Sequence, residues 1–177
     1  MKIAITGHTA GIGQALAEEY LLDGHEIVGL SQREGNNIRN IPKIADQIAL
    51  CDVFVNNAQA GYAQTELLFE MAKRWSGTNK HIIVISTMMT QDPVSFDSTL
   101  DQYRVQKIAL EEAVHQLRNR RLSLKITLVR PGYIATQHGQ TVPPAANVNN
   151  WTRTLLDLLD MAARNNLSIP DISLGPQ

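Results

Sequence analysis

Short apolar runs recur along the chain at residues 2–6, Ile27 to Leu30, Cys51 to Val55, His81 to Ser86 and Leu124 to Val129. They are apolar throughout instead of alternating, as strands of a parallel sheet covered on both faces must be. Between them the period changes to that of helices. Ile12, Leu16, Tyr20 and Leu21 share a helical face until Asp23-Gly24 stops it, and Ile41, Ile44, Ala45 and Ile48 form one short amphipathic helix. Thr65 to Trp75, Asp101 to about Arg120, and Trp151 to about Arg164 are predicted helices, the last with Asn150 as N-cap, and a final strand is expected near Ser168 to Leu174. The stretch from Thr141 to Asn150, with Pro143-Pro144, reads as loop. Strand and helix alternate, so the expected architecture is a three-layer α/β Rossmann fold with a doubly wound, mostly parallel sheet. Only about twenty residues separate the second strand from the third, too few for two crossover helices with a strand between them.

Composition narrows the function classes. The 177 residues are expected to form a single domain, 1–177, large enough to do without disulfides or a structural metal. A charged fraction of 19% and a formal charge of −1 supply no broad basic field for nucleic acid. No apolar run approaches the roughly 18 residues of a membrane span, and with only Met1-Lys2 ahead of the first strand no signal peptide is expected. Cys51, the only cysteine, is expected to be a buried thiol in a reducing cytoplasm. His8, His25, His81, His115 and His138 lack metal-ligand spacing and are expected at the surface or in turns, with His138 a candidate for a pocket wall.

Candidate chemistry begins in the first turn, Thr6-Gly7-His8-Thr9-Ala10-Gly11-Ile12-Gly13, which joins a strand to a helix. Glycines there allow a tight bend that presents backbone N–H groups and a helix N-terminus to a pyrophosphate. The second strand ends in Ser31-Gln32-Arg33, where a carboxylate would hold a ribose 2′-OH. A hydroxyl and a guanidinium suit a 2′-phosphate instead, although Glu34 is adjacent and can serve a 2′-OH. NADP(H) is therefore the expected cofactor ahead of NAD(H). Asn37-Ile38, Asn56-Asn57-Ala58-Gln59, Ser86-Thr87, Tyr103-x-x-x-Lys107 and Pro131-Gly132-Tyr133-Ile134-Ala135-Thr136 follow in order. Tyr103 and Lys107 are four apart on a predicted helix and project from one face. A phenol with a pKa of about 10 is a poor acid-base catalyst at neutral pH unless a nearby cation stabilises its ionised form.

In content and order these motifs resemble the short-chain dehydrogenase/reductase family, over residues 2 to about 136. The resemblance implies that Gly7, His8, Thr9, Gly11, Ile12 and Gly13 surround the pyrophosphate, and that Ser31, Gln32 and Arg33 meet the adenosine ribose. It further implies that Asn37 and Ile38 meet the adenine, that Asn57, Ala58 and Gln59 close over the cofactor, and that Pro131, Gly132, Ile134 and Thr136 face the nicotinamide. Tyr103 would be the proton donor, Lys107 its electrostatic partner and a ligand of the ribose, and Ser86 or Thr87 the hydroxyl that polarises the substrate carbonyl. Residue type favours Ser86, whereas counting from His81 favours Thr87. The implied activity is NADP(H)-dependent interconversion of a small carbonyl compound and its alcohol, in a homodimer or homotetramer paired through the Tyr103 helix and the helix before it.

The chain departs from the family in three ways. It is short, Gln59 replaces a glycine, and no asparagine falls in the Thr65 to Trp75 helix where the family holds a proton-relay water. Gln64 is the candidate substitute. These losses support an alternative: a trimmed scaffold that senses NADP(H) or contacts a protein without turnover.

Overall fold

The computed structural model describes residues 1–91, 98–120, 123–136 and 145–176, the side chains of residues 98 and 99 excepted. His138 and Pro143-Pro144 lie outside the described residues. The elements follow as β1 (Lys2–Thr6), α1 (Gly11–Leu22), β2 (Glu26–Leu30), α2 (Ile41–Ile48), β3 (Val53–Asn56), α3 (Ala63–Arg74), β4 (His81–Ile85), α4 (Ser98–Asn119), β5 (Lys125–Pro131), β6 (Ile134–Ala135), β7 (Ala146–Asn147), α5 (Val148–Arg164) and β8 (Asp171–Leu174). Single 3-10 turns at Gln32–Glu34 and Met88–Thr90 follow β2 and precede α4.

Six strands form one sheet in the order β2-β1-β3-β4-β5-β8, with every neighbouring pair parallel. The chain winds outward from β1 in both directions, so the crevice between the carboxyl ends of β1 and β3 is the topological switch point where such sheets take ligands. Side chains alternate between two buried layers. Ala4, Phe54, Ile82 and Val84 meet Ile44, Leu67, Met71 and Leu110 on one face, while Ile3, Ile5, Val55 and Ile83 meet Leu16, Trp151 and Leu155 on the other. Each large aliphatic side chain fully buried in these layers contributes roughly 1.5–3 kcal/mol. This is the doubly wound Rossmann arrangement expected from the apolar runs.

Several boundaries differ from the sequence reading. Cys51 is fully buried but precedes the strand, which opens at Val53. Helix α3 opens at Ala63, bringing Gln64 into its first turn. The cap of α5 is Asn147 and not Asn150: its side chain accepts from the backbone N–H groups of Asn149 and Asn150 at 3.0 and 3.1 Å. His81 is neither a surface nor a turn residue. Its Nε2 lies 2.9 Å from Thr127 Oγ1 across the sheet, and burial beside Lys125 pulls its pKa down to about 4.

Candidate active site

The glycine turn is built to be narrow. Gly7 and Gly11 have φ of 72° and 54°, in the left-handed region that disfavours side chains. A Cβ on Gly13 would lie 2.3 Å from the Gly7 carbonyl oxygen and 2.7 Å from Asn57 Nδ2, so only glycine fits where α1 crosses the turn. Ala10, the N-cap of α1, has no side-chain oxygen to cap the helix, so the cap residue itself leaves the first-turn N–H groups open. Asn57 and Ala58 brace the turn from β3: both backbone N–H groups donate to Thr6 Oγ1 at 3.0 Å, and Asn57 Nδ2 donates to the Thr6 carbonyl at 2.9 Å. Thr136 reaches the same place from the far end of the chain, its Cβ 3.2 Å from where a Gly11 Cβ would stand.

Beyond β2, Ser31 is buried and its hydroxyl is already engaged, 2.9 Å from Thr9 Oγ1 and 3.3 Å from the Arg33 backbone N–H that donates to it. Gln32 and Arg33 are exposed, and the Arg33 guanidinium has no ion-pair partner among the described residues. Asn37 Oδ1 accepts from the Arg39 backbone N–H at 3.0 Å, while Ile38 is buried. Gln59 donates to the Gln106 side chain and so ties the loop after β3 to α4 next to Lys107.

The catalytic candidates assemble at the carboxyl ends of β4 and β5, beside the switch point. Thr87, and not Ser86, meets Tyr103 through its hydroxyl. Ser86 points the other way and donates to Glu111 Oε1 at 2.5 Å. Burial raises the Tyr103 pKa, and the Thr87 hydrogen bond opposes that shift. Lys107, 3% exposed, places its Nζ 5.5 Å from the Tyr103 ring centroid. Nζ donates to Gln64 Oε1 and to the Ile85 carbonyl, each at 2.9 Å. Burial lowers the Lys107 pKa from 10.5 to about 8, against the pull of Glu111. Gln64 is itself fixed, its Nε2 donating to the Asn56 and Ile85 carbonyls at 2.8 and 3.0 Å.

A charged chain supports this cluster from behind. Glu111, one turn after Lys107, accepts from Thr90 Oγ1 at 2.8 Å and from Arg130 Nε at 2.9 Å. Arg130 also pairs with Asp171, which Arg118 engages in turn, so α4 is tied to β5 and β8. Sequence reasoning missed Glu111; its position four residues beyond Lys107, on the same helical face, was the available signal. Pro131-Gly132 closes the site against the last strand, since a Cβ on Gly132 would lie 2.7 Å from Gly175 Cα and 3.2 Å from Met88 Sδ.

No family model matches the chain. Among curated proteins it is 20% identical over 151 residues to the NADP-dependent 3-hydroxy acid dehydrogenase YdfG of Shigella flexneri, covering 85% of this chain and 56% of that protein. The corresponding Escherichia coli K12 protein is 19% identical over the same length. The chain thus spans little more than half the length of these relatives. Among solved structures, a short-chain dehydrogenase/reductase from Vibrio parahaemolyticus superposes with a TM-score of 0.78 at 18% identity, covering 99% of each chain. An alcohol dehydrogenase from the archaeon Thermococcus sibiricus, complexed with 5-hydroxy-NADP, gives 0.76 at 14% identity, covering 99% of this chain and 96% of that one.

Proposed function

Taking the chain as a short member of the short-chain dehydrogenase/reductase family, we propose that it is an NADP(H)-dependent oxidoreductase interconverting a small carbonyl compound and its alcohol. The observation that carries this reading is the Thr87–Tyr103–Lys107 cluster beside a glycine turn too narrow for any side chain at residue 13. The residues present fit the dinucleotide. Gly7, Gly11 and Gly13 with the uncapped start of α1 would take the pyrophosphate, Arg33 the 2′-phosphate, and Thr136 with Pro131-Gly132 the nicotinamide side. The cofactor supplies the hydride.

The chain's own groups handle the proton. Burial keeps the Tyr103 phenol protonated, the form that donates to a carbonyl oxygen as it gains electrons. Thr87, whose hydroxyl acts on that phenol to lower its pKa, would polarise the same oxygen. Of the three N–H donors of Lys107, two are committed to Gln64 and Ile85, which leaves one for a ribose hydroxyl or the phenol side. Gln64 is the positioning residue here: its amide holds the ammonium directly, where the family would place an asparagine and a water.

Assembly is proposed as homo-oligomeric. Helices α3 and α4 pack together and leave Phe69, Val105 and Ile108 exposed at 36%, 52% and 40%. Apolar side chains grouped on paired helices suit a second copy of the chain. Light scattering is expected to give at least a dimer, dissociated by Val105→Asp; a monomeric wild type would refute it. No helix among the described residues is long and apolar enough to cross a membrane. Cys51, the only cysteine, is buried, and we place the protein in a reducing cytoplasm.

The test of the activity is NADPH consumption against a panel of small aldehydes and ketones. Tyr103→Phe is expected to lose turnover by at least a hundredfold while retaining cofactor affinity. Binding of NADPH by the wild type with no turnover on any carbonyl would favour the sensing alternative.

A further inference from the structure

A cavity of about 550 Å³ opens between α1, α5 and the amino ends of β3, β4 and β5. Packed interiors hold few voids larger than a water molecule, and ligand pockets run from about 300 to 1,000 Å³. His81 precedes Thr87 by six residues of nearly extended chain, so roughly 20 Å separate the cavity from the catalytic cluster. Val53, Ile83, Leu159 and Ile169 give the cavity apolar walls. Its inner polar groups are Tyr20, His81 and Thr127. Thr127 Oγ1 donates its one proton to the Ile169 carbonyl at 2.9 Å, so His81 Nε2, also 2.9 Å from that oxygen, must donate to it. The imidazole is therefore the Nε2–H tautomer, and Nδ1 is left as an acceptor with no hydrogen-bond partner among the described residues. Tyr20, 8% exposed, brings a hydroxyl that also makes no hydrogen bond among the described residues, and burial holds it protonated.

We propose that this cavity is a second ligand site, which takes an uncharged molecule with an apolar body, a hydroxyl or N–H group that donates to His81 Nδ1, and an oxygen that accepts from the Tyr20 hydroxyl. Alcohols, phenols and secondary amides carry both functions. The charges around the cavity fit this choice. Asp23, Asp52, Asp160 and Lys125 are exposed and stand at its mouth, in both signs, whereas phenol, imidazole and threonine hydroxyl inside it are neutral. Arg118, which also borders it, is already paired with Asp171. An ion drawn inside would lose its hydration to neutral partners alone, which is costly, while a neutral donor and acceptor would satisfy groups that the fold leaves unpaired. Neither Tyr20 nor His81 belongs to the dinucleotide or catalytic machinery, so the site stands whether or not that reading holds. Its position at the far end of the sheet makes the occupant distinct from the substrate of the proposed hydride transfer.

The probe is 2-phenylethanol, titrated into the 15N-labelled full chain near neutral pH while the histidine ring nitrogens are followed by NMR. Without the probe, His81 is expected to show the Nε2–H tautomer with a bare Nδ1. Saturable binding is expected in roughly the millimolar range, as suits so small a ligand, with the Nδ1 resonance moving upfield as it accepts a hydrogen bond and Nε2 staying in place. The methyl ether of the probe, which cannot donate, and the charged analogues phenylacetate and 2-phenylethylammonium are expected to bind at least tenfold more weakly. Tyr20→Phe, which removes only the hydroxyl, is expected to weaken binding about three- to tenfold. Ala163→Trp, at an exposed position of α5 on the cavity wall, is expected to abolish binding with little change in melting temperature. Absence of saturable binding, an Nδ1 resonance that does not move at saturation, equal binding of the methyl ether, or binding that survives both Tyr20→Phe and Ala163→Trp unchanged overturns the proposal.

Discussion

Replacing Gln64 with glutamate puts a carboxylate in place of the amide oxygen that lies 2.9 Å from Lys107 Nζ. In the wild type, burial holds the Lys107 pKa near 8 against its usual 10.5, equivalent to about 3 kcal/mol at 1.36 kcal/mol per pKa unit. The sign follows from proton counting. Between about pH 8 and 10.5 the unfolded chain binds the proton that the folded chain has released, so the Lys107 contribution to stability rises with pH across that window. Below about pH 8 the cost of burying the charge is present in full. A carboxylate at hydrogen-bond distance attracts the ammonium by about 4 kcal/mol at an effective dielectric of about 20, part of which is lost in desolvating the new charge. The remainder is enough to return the Lys107 pKa to about 10 or above.

The same change removes the Nε2 donors from the Asn56 and Ile85 carbonyls, at about 1–3 kcal/mol each, so a lower melting temperature is expected as well. The direct assay is the pH dependence of the Lys107 side-chain 13Cε resonance in wild type and Gln64→Glu, which needs neither substrate nor cofactor. A wild-type midpoint near 8 that moves up by about two pH units in the variant supports the reasoning. A wild-type midpoint near 10.5, or one that stays near 8 in the variant, refutes it.

Two further substitutions probe the frame of the site. Gly13→Ala improves intrinsic helix propensity by about 1 kcal/mol, yet its Cβ would meet the Gly7 carbonyl at 2.3 Å, so net destabilisation and at least tenfold weaker NADPH binding are expected. A more stable variant with unchanged affinity would mean that the turn is not as tight as described. Glu111→Leu leaves the buried Arg130 with Asp171 as its remaining partner and takes the acceptor from Ser86 and Thr90, a loss of about 3–5 kcal/mol. Thermal unfolding should fall by roughly 10 °C, and a change under about 2 °C would contradict a supporting role for the charged chain.

The strands and helices were legible because a sheet buried on both faces forces continuous apolar runs, and Ile82 to Ile85 or Val53 to Val55 can be little else. The details that decide chemistry were less so. Ser86 and Thr87 are both hydroxyls just past a strand end, and which of them faces Tyr103 depends on side-chain alternation along the extended backbone that continues beyond β4: one residue turns the hydroxyl toward Glu111 and the next toward the phenol. Gln64 lay one residue before the helix expected from the pattern, and a start at Ala63 is what buries its amide against Lys107. Around the cap of α5, Asn147, Asn149 and Asn150 offer equivalent side chains, and local geometry selected the first. The His8 imidazole lies so close to Gly29 that a Cβ there would fall 2.3 Å from Nε2, and this fit joins residues on different elements by shape alone, which no periodicity encodes.

The central claim, that this turn and cluster form an NADP(H) site, is tested most directly by titrating the purified protein with NADPH and NADH and following nicotinamide fluorescence, with Arg33→Ala in parallel. The account predicts saturable binding of both nucleotides, tighter for NADPH, with Arg33→Ala reducing NADPH affinity at least tenfold and leaving NADH nearly unchanged. Absence of saturable binding by either nucleotide would contradict it.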